Sequence, residues 1–196
     1  MALLFMDGFE HYATADLSER YEYDSSGGVS SVKARTGTYA LGGSGSIGKV
    51  LSSASGTTLI FGSGVYASAT DHSWWTVCSG GFGSTAYYQC SVTVAGDGSF
   101  SFRRQGTGGT VIAASAAGVF PFGRWNYVEV KLVVSNTVGS IVIKVNGATV
   151  LTSATDLDSQ ELAVTGYTAL MFGPGGGTGY MDDVYVCDGS GSVNND

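Results

Sequence analysis

The chain has 196 residues, 43% of them hydrophobic and 12% aromatic, with 31 glycines, two prolines and a formal net charge of −7. A chain of this length buries roughly 70% of its extended surface, so residues 1–196 read as one domain with a core that needs no staples, and disorder is excluded. Nine Lys and Arg against sixteen Asp and Glu, scattered along the chain, exclude a phosphate-binding surface and with it nucleic acid.

The first segment, Met1 to Met6, is apolar, but Asp7 follows at once and no basic stretch precedes it. It is too short for the core of a signal peptide or for a membrane span, and reads as the first strand of a protein made in a cytosol without a membrane partner. Period-two alternation between Gly, Ser and Asn breaks then predicts strands near 2–9, 38–42, 47–52, 57–67, 73–79, 86–95, 98–104, 110–114, 124–135, 139–146, 149–152, 163–172 and 180–187. Between them, 15–21 reads as one brief helical turn with Asp16 at its N-cap, and the Gly/Ser clusters at 25–31 and 42–46 read as surface loops. Ala95-Gly-Asp-Gly98 and Val145-Asn-Gly-Ala148 are hairpin turns, the second carrying the Asn-Gly pair of a type I′ turn. Val128, Val130, Leu132 and Val134 alternate with Glu129, Lys131 and Val133, and Ile141, Ile143 and Val145 with Val142, Lys144 and Asn146. One face of each strand is core and the other is wetter, as in an antiparallel β-sandwich. Apolar strands at both chain ends imply a sheet whose first and last strands meet.

Residue chemistry offers few reactive groups. Only two histidines occur, His11 and His72, with no G-x-S-x-G turn beside them, so neither a nucleophilic triad nor a zinc site is expected. Gly43 to Val50 approaches a phosphate-binding loop, but Val50 stands where the hydroxyl belongs. Three cysteines allow one intrachain bridge: Cys78 and Cys90 face each other if 80–85 closes a symmetric hairpin, whereas Cys187 lies in the last strand. The alternative is three small buried hydrophobes. Trp74 and Trp75 are adjacent in one strand, so one packs inward and its neighbour outward, and Tyr87-Tyr88 repeats the pattern. The outward rings are candidates for a glycan-stacking site or a subunit contact. Phe5, Phe9, Phe102, Trp125 and Tyr185 read as core.

The order Met6-Asp-Gly-Phe-Glu10, Thr36-Gly-Thr-Tyr-Ala-Leu41, Arg124-Trp-Asn-Tyr-Val-Glu-Val-Lys131, Val142-Ile-Lys-Val-Asn-Gly147 and Tyr180-Met-Asp-Asp-Val-Tyr185 resembles the concanavalin A-like lectin/glucanase jelly roll, laminin-G-like domains included. Within that group, the head and the ending Asp182 to Asp196 resemble structural proteins of tailed bacteriophages. The resemblance implies a virion surface component, a capsid decoration protein or the head of a tail fibre or spike. Its partners would be other virion proteins in a homo-oligomer such as a trimer, though no residue fixes the number. A carbohydrate-binding adhesin that meets host glycans is the alternative. Glucanases of this fold carry two catalytic carboxylates on an E-x-D-x-E strand. Among Glu10, Glu19, Glu22, Glu129 and Glu161 none stands in that pattern, so the chain is expected not to be an enzyme. Relatives of this fold hold structural calcium where the terminal strands meet, which makes Asp7 and Asp183, or Asp182 in its place, candidate ligands with carbonyls near Gly37. The alternative is that one aspartate caps a turn and the other is solvated.

Overall fold

The structure, a computed structural model, describes residues 1–51, 56–67, 72–163, 166–174 and 179–190, with 72–74 described as backbone alone. Its strands are β1 (Leu3–Asp7), β2 (Tyr23–Ser25), β3 (Gly28–Ser30), β4 (Ala40–Gly43), β5 (Ser46–Val50), β6 (Thr58–Ala67), β7 (His72–Cys78) and β8 (Tyr88–Val94). There follow β9 (Phe100–Arg104), β10 (Val111–Ala114), β11 (Trp125–Val133), β12 (Ser140–Val145), β13 (Ala148–Thr152), β14 (Ala169–Phe172) and β15 (Gly179–Asp188). They form two antiparallel sheets, the concanavalin A-like jelly-roll sandwich that the alternation implies. The larger sheet runs β13-β12-β11-β6-β15-β4-β3, with β1 also on β15, and the smaller runs β10-β9-β8-β7-β14-β5-β2.

First and last strands meet, with Asp7 opposite Val184 and Met6 opposite Tyr185. The alternation of β11 and β12 holds residue by residue: Val128, Val130, Leu132, Ile141 and Ile143 are buried, while Glu129, Lys131, Val142 and Lys144 are half-buried on the outer face. Phe61 of β6 meets Trp75 of β7 at 5.2 Å between ring centres, joining the inner faces of the two sheets. Burial of such side chains, at about 25 cal/mol per Å² removed from water, holds the layers together.

Three local readings differ from the structure. The 25–31 cluster forms β2 and the start of β3, pinned because a β-carbon at Gly45 would lie 2.2 Å from the Gly27 nitrogen. The 163–172 reading shortens to β14, since Gln89 captures the approach: its Oε1 accepts from the Glu161 and Leu162 N–H groups and its Nε2 donates to the Gly166 carbonyl. The helical turn forms as α1 (Leu17–Arg20), but Asp16 spends its carboxylate on the Ala13 N–H rather than on capping it. The turn at 145–148 has the expected positive φ at Asn146 (51°) and Gly147 (82°).

Candidate functional site

The outer face of the larger sheet gathers polar and aromatic side chains around two glycines of β6. One cross-strand row runs Lys144, Glu129, Gly62, Tyr185. The next carries Tyr127 and Asp182 either side of Gly64, and the third runs Trp125, Tyr66, Tyr180. The glycines make room: a β-carbon at Gly62 would come within 2.6 Å of the Tyr185 ring, and one at Gly64 within 2.4 Å of Arg35 Cδ. Tyr185 therefore lies flat across β6, and its Oη reaches Glu129 Oε1 at 3.1 Å. Its phenol is held protonated well above the ordinary range, by burial first and by the Glu129 carboxylate second. Tyr127 is pushed up to about 12, by burial and then by Glu129, against the opposing pull of Arg35. In the third row Tyr66 meets Trp125 at 6.0 Å and Tyr180 at 6.2 Å, both edge-on.

Two grooves open beside Tyr185. One, of about 320 Å³, is lined by Ile60, Glu129, Lys131, Val142, Lys144 and Tyr185. The other, of about 400 Å³, lies between β1 and β15 and is lined by Leu3, Met6, Tyr127, Asp183 and Tyr185 among others. Leu3 and Met6 are exposed there, at 57% and 65%.

A strap, residues 31–39, crosses from β3 to β4 along the edge of this face and is fastened by three carboxylates. Asp182 Oδ2 accepts from the Arg35 and Thr36 N–H groups, Asp183 accepts from the Arg35 guanidinium at 2.6 Å and the Thr36 hydroxyl at 2.7 Å, and Glu10 accepts from the Thr38 and Tyr39 N–H groups. The strap sets two cations over aromatic rings: Lys33 Nζ lies 4.5 Å from the Tyr66 centroid and the Arg35 guanidinium carbon 4.8 Å from that of Tyr127. Asp182 and Asp183 reach the same strap because β15 bulges there. Gly64 pairs with Asp182 and Gly62 with Tyr185, and Asp183 takes the left-handed φ of 49°. In a regular strand the two would have faced opposite ways. The Asp182 carboxyl is raised above its usual range by burial, opposed by the three N–H groups it accepts.

The residues singled out from the sequence are dispersed. Asp7 and Asp183 do not share a ligand set. Asp7 is buried and saturated: it accepts from the Phe9 N–H at 2.8 Å and from the Tyr12 and Tyr21 hydroxyls at 2.6 Å each, with Arg20 Nε at 3.4 Å. Asp183 belongs to the strap. Among the described residues no group of three His, Cys, Asp or Glu is placed to hold a metal. Trp75 is the inward ring, 1% exposed; the side chain of Trp74 lies outside the described residues. Tyr87 is 40% exposed beside Gly81, and Tyr88 packs onto a small cluster of Cys78, Ala169 and Met171 on the outer side of the smaller sheet. The Cys78–Cys90 bridge is corrected: all three cysteines are free thiols. A register shift sets Cys90 opposite Val77 in the main core and Cys78 opposite Tyr88 in the outer cluster, so they face opposite sides of their sheet.

Trp125 and Tyr185, read as core, stand instead on the outer face, and Tyr66, Tyr127 and Tyr180 join them there. The signal for the β11 members was present, because Trp125, Tyr127 and Glu129 share one parity and Val128 and Val130 the other.

No family model and no curated protein sequence matches the chain. Solved structures do match in fold. Alginate lyase Aly36B is 14% identical over 93% of this chain and 95% of its own, with a TM-score of 0.60. Alginate lyase vAL-1 from Chlorella virus is 11% identical over 89% and 96%, with a TM-score of 0.59. Domain 4 of AbnA, an extracellular arabinanase from Geobacillus stearothermophilus solved with arabinotriose, is 11% identical over 95% and 92%, with a TM-score of 0.58. The expectation that the chain is not an enzyme falls here, because two of these near-full-length matches are lyases. That expectation tested for the acid pair of a hydrolase, and a lyase breaks its bond by elimination, for which the missing E-x-D-x-E strand is no criterion. What the chain shares with all three is the jelly-roll fold of carbohydrate-binding or carbohydrate-active proteins.

Proposed function

We propose that this chain binds a glycan along the outer face of the larger sheet. The observation that carries the reading is the juxtaposition on one face of ring surfaces and hydrogen-bonding groups: Trp125, Tyr66 and Tyr180 in one row, and Tyr185, Glu129 and Lys144 two rows away. A sugar presents an apolar C–H side and a rim of hydroxyls, and sites for such ligands combine aromatic walls with a few placed polar groups. Tyr185 lies between the two grooves, where its hydroxyl and the Glu129 carboxylate meet a ligand that spans both. The carbohydrate-related names of the fold neighbours support the same class of ligand. The motifs at 6–10 and 180–185 support the setting: the exterior of a bacteriophage particle, among other virion proteins, where this face meets host glycans.

Calorimetric titration against a panel of polysaccharides tests the reading, with ultraviolet absorbance followed in the same samples because elimination leaves an unsaturated sugar end. Trp125→Ala is expected to weaken binding roughly tenfold, the equivalent of about 1.4 kcal/mol. Tyr185→Phe, which keeps the ring and loses the hydroxyl, is expected to weaken it by a smaller factor. Absence of binding to every member of the panel, or binding indifferent to both substitutions, ends the proposal. Mass spectrometry of purified particles tests the setting.

A further inference from the structure

The two sides of the molecule differ in charge in a way that the total of −7 conceals. Four of the nine Lys and Arg stand on the outer face of the larger sheet, and they are spaced along β6. Lys33 lies over Tyr66, Arg35 fills the space over Gly64, Lys144 shares the row of Gly62, and Lys131 stands opposite Ile60. Each step is two strand residues, so the four cations mark out a line of about 20 Å with one charge every ~7 Å. Two of them, Lys33 and Lys144, form no ion pair among the described residues; Arg35 is paired with Asp183. Lys33 is instead held at its station by the Tyr66 ring, and Lys144 by the cross-strand register with Glu129.

A line of separated cations is of no use to a compact neutral ligand. It suits a linear polymer with a negative group on each repeat, whose charges fall against successive rows. The face also carries the acceptor-only groups Glu129 and Asp183, which repel a densely charged polymer and accept hydrogen bonds from hydroxyls. One carboxylate per sugar with free hydroxyls between satisfies both features; several sulfates per sugar do not. On these grounds, and resting on the glycan reading above, we infer that the ligand is a uronate polysaccharide, lying along β6 with its carboxylates addressed by Lys33, Lys131 and Lys144.

The test compares three polymers on the full chain: polygalacturonate, neutral dextran and dextran sulfate, each with the unmodified protein and with a Lys33→Gln, Lys144→Gln double variant. Because neither lysine forms an ion pair, the double variant is expected to keep the thermal midpoint of the parent, which separates a binding defect from a folding one. Polygalacturonate is expected to bind tightest, to weaken as salt rises toward the physiological Debye length of about 8 Å, and to lose roughly tenfold in the double variant. Dextran bound as tightly as polygalacturonate overturns the uronate assignment and leaves the glycan reading standing. Dextran sulfate bound as tightly overturns it too, since the face would then be a general polyanion trap. An unchanged affinity for polygalacturonate in the double variant overturns the role of the two lysines, and with it the inference. Failure of all three polymers, together with the wider panel, ends both readings.

Discussion

Asp7 and Asp182 are both buried carboxylates in the larger sheet, and their partners make them respond differently to the same substitution. Asp7 receives two phenolic hydroxyls, a backbone N–H and the flank of Arg20, so every neighbour is a donor or a cation. An amide at position 7 must turn its NH₂ toward one of these donors. Asp7→Asn is therefore expected to cost about 2 kcal/mol, and Asp7→Ala, which strands all of them, about 3–5 kcal/mol, read from urea unfolding. Asp182 receives three backbone N–H groups, two of them on one oxygen. Asp182→Asn keeps that oxygen and is expected to cost about 1 kcal/mol, against about 2–4 kcal/mol for Asp182→Ala, which also frees the strap. The sign of the pH response follows from the upward shift of the Asp182 carboxyl. The folded state holds the proton more tightly than the unfolded chain does. This contribution to stability is full below the ordinary carboxyl range and is lost as pH rises through the folded value, so Asp182→Asn should flatten that part of the acid limb. Equal losses for Asn at 7 and at 182 would show that the partner count is irrelevant.

At the scale of elements, the face depends on backbone that leaves space. Gly62→Ala puts a methyl group where the Tyr185 ring lies, and Gly64→Ala puts one where Arg35 Cδ lies. Each is expected to cost about 1–3 kcal/mol, through displacement of the ring or the strap rather than through strand propensity. Gly62→Ala should also lower glycan affinity, because Tyr185 loses its place against Glu129. A retained affinity with Gly62→Ala would place the ligand away from Tyr185. These glycines also show what could be read from sequence and what could not. The strands of β11 and β12 were legible because their apolar residues repeat every second position and their hairpin carries Asn146-Gly147. Short β2 and β3 were not, since Ser and Gly hide a strand whose pairing is set by the close passage of Gly45 against Gly27. The site was legible only in part. Parity placed Trp125, Tyr127 and Glu129 on one face, but in β15 the bulge at Asp183 resets parity between Asp182 and Tyr185. The strap was invisible for another reason: its fastening runs between residues about 150 apart in sequence, Arg35 and Thr36 to Asp182 and Asp183, and no local pattern records such a pairing.

For the molecule as a whole, the free thiols and buried phenols set an alkaline limit. Cys78, Cys90 and Cys187 are all buried, and burial raises each thiol; Cys78 is pushed up to about 12. Tyr12, Tyr21, Tyr167 and Tyr185 are raised as well, with burial the first cause in each. All are acids that are neutral when protonated, and the folded state holds their protons more tightly than the unfolded chain. Their contribution is complete below the ordinary thiol value of 9.0 and is lost as pH rises from there toward the folded values. Each group that remains protonated in the fold removes up to about 1.4 kcal/mol of stability per pH unit over that interval. The urea midpoint should therefore hold steady from neutral pH to about pH 8.5 and fall steeply beyond. A thiol-labelling reagent provides the independent check. Because the thiolate reacts and the buried thiol does not, native protein near neutral pH should label far more slowly than protein unfolded in denaturant, which should take up one equivalent per cysteine. Rapid labelling of folded protein would mean that β7, β8 or β15 opens without global unfolding. The alkaline fall in stability would then belong to those strands rather than to the sandwich, because the thiols sit on both sheets and on both faces of β7 and β8.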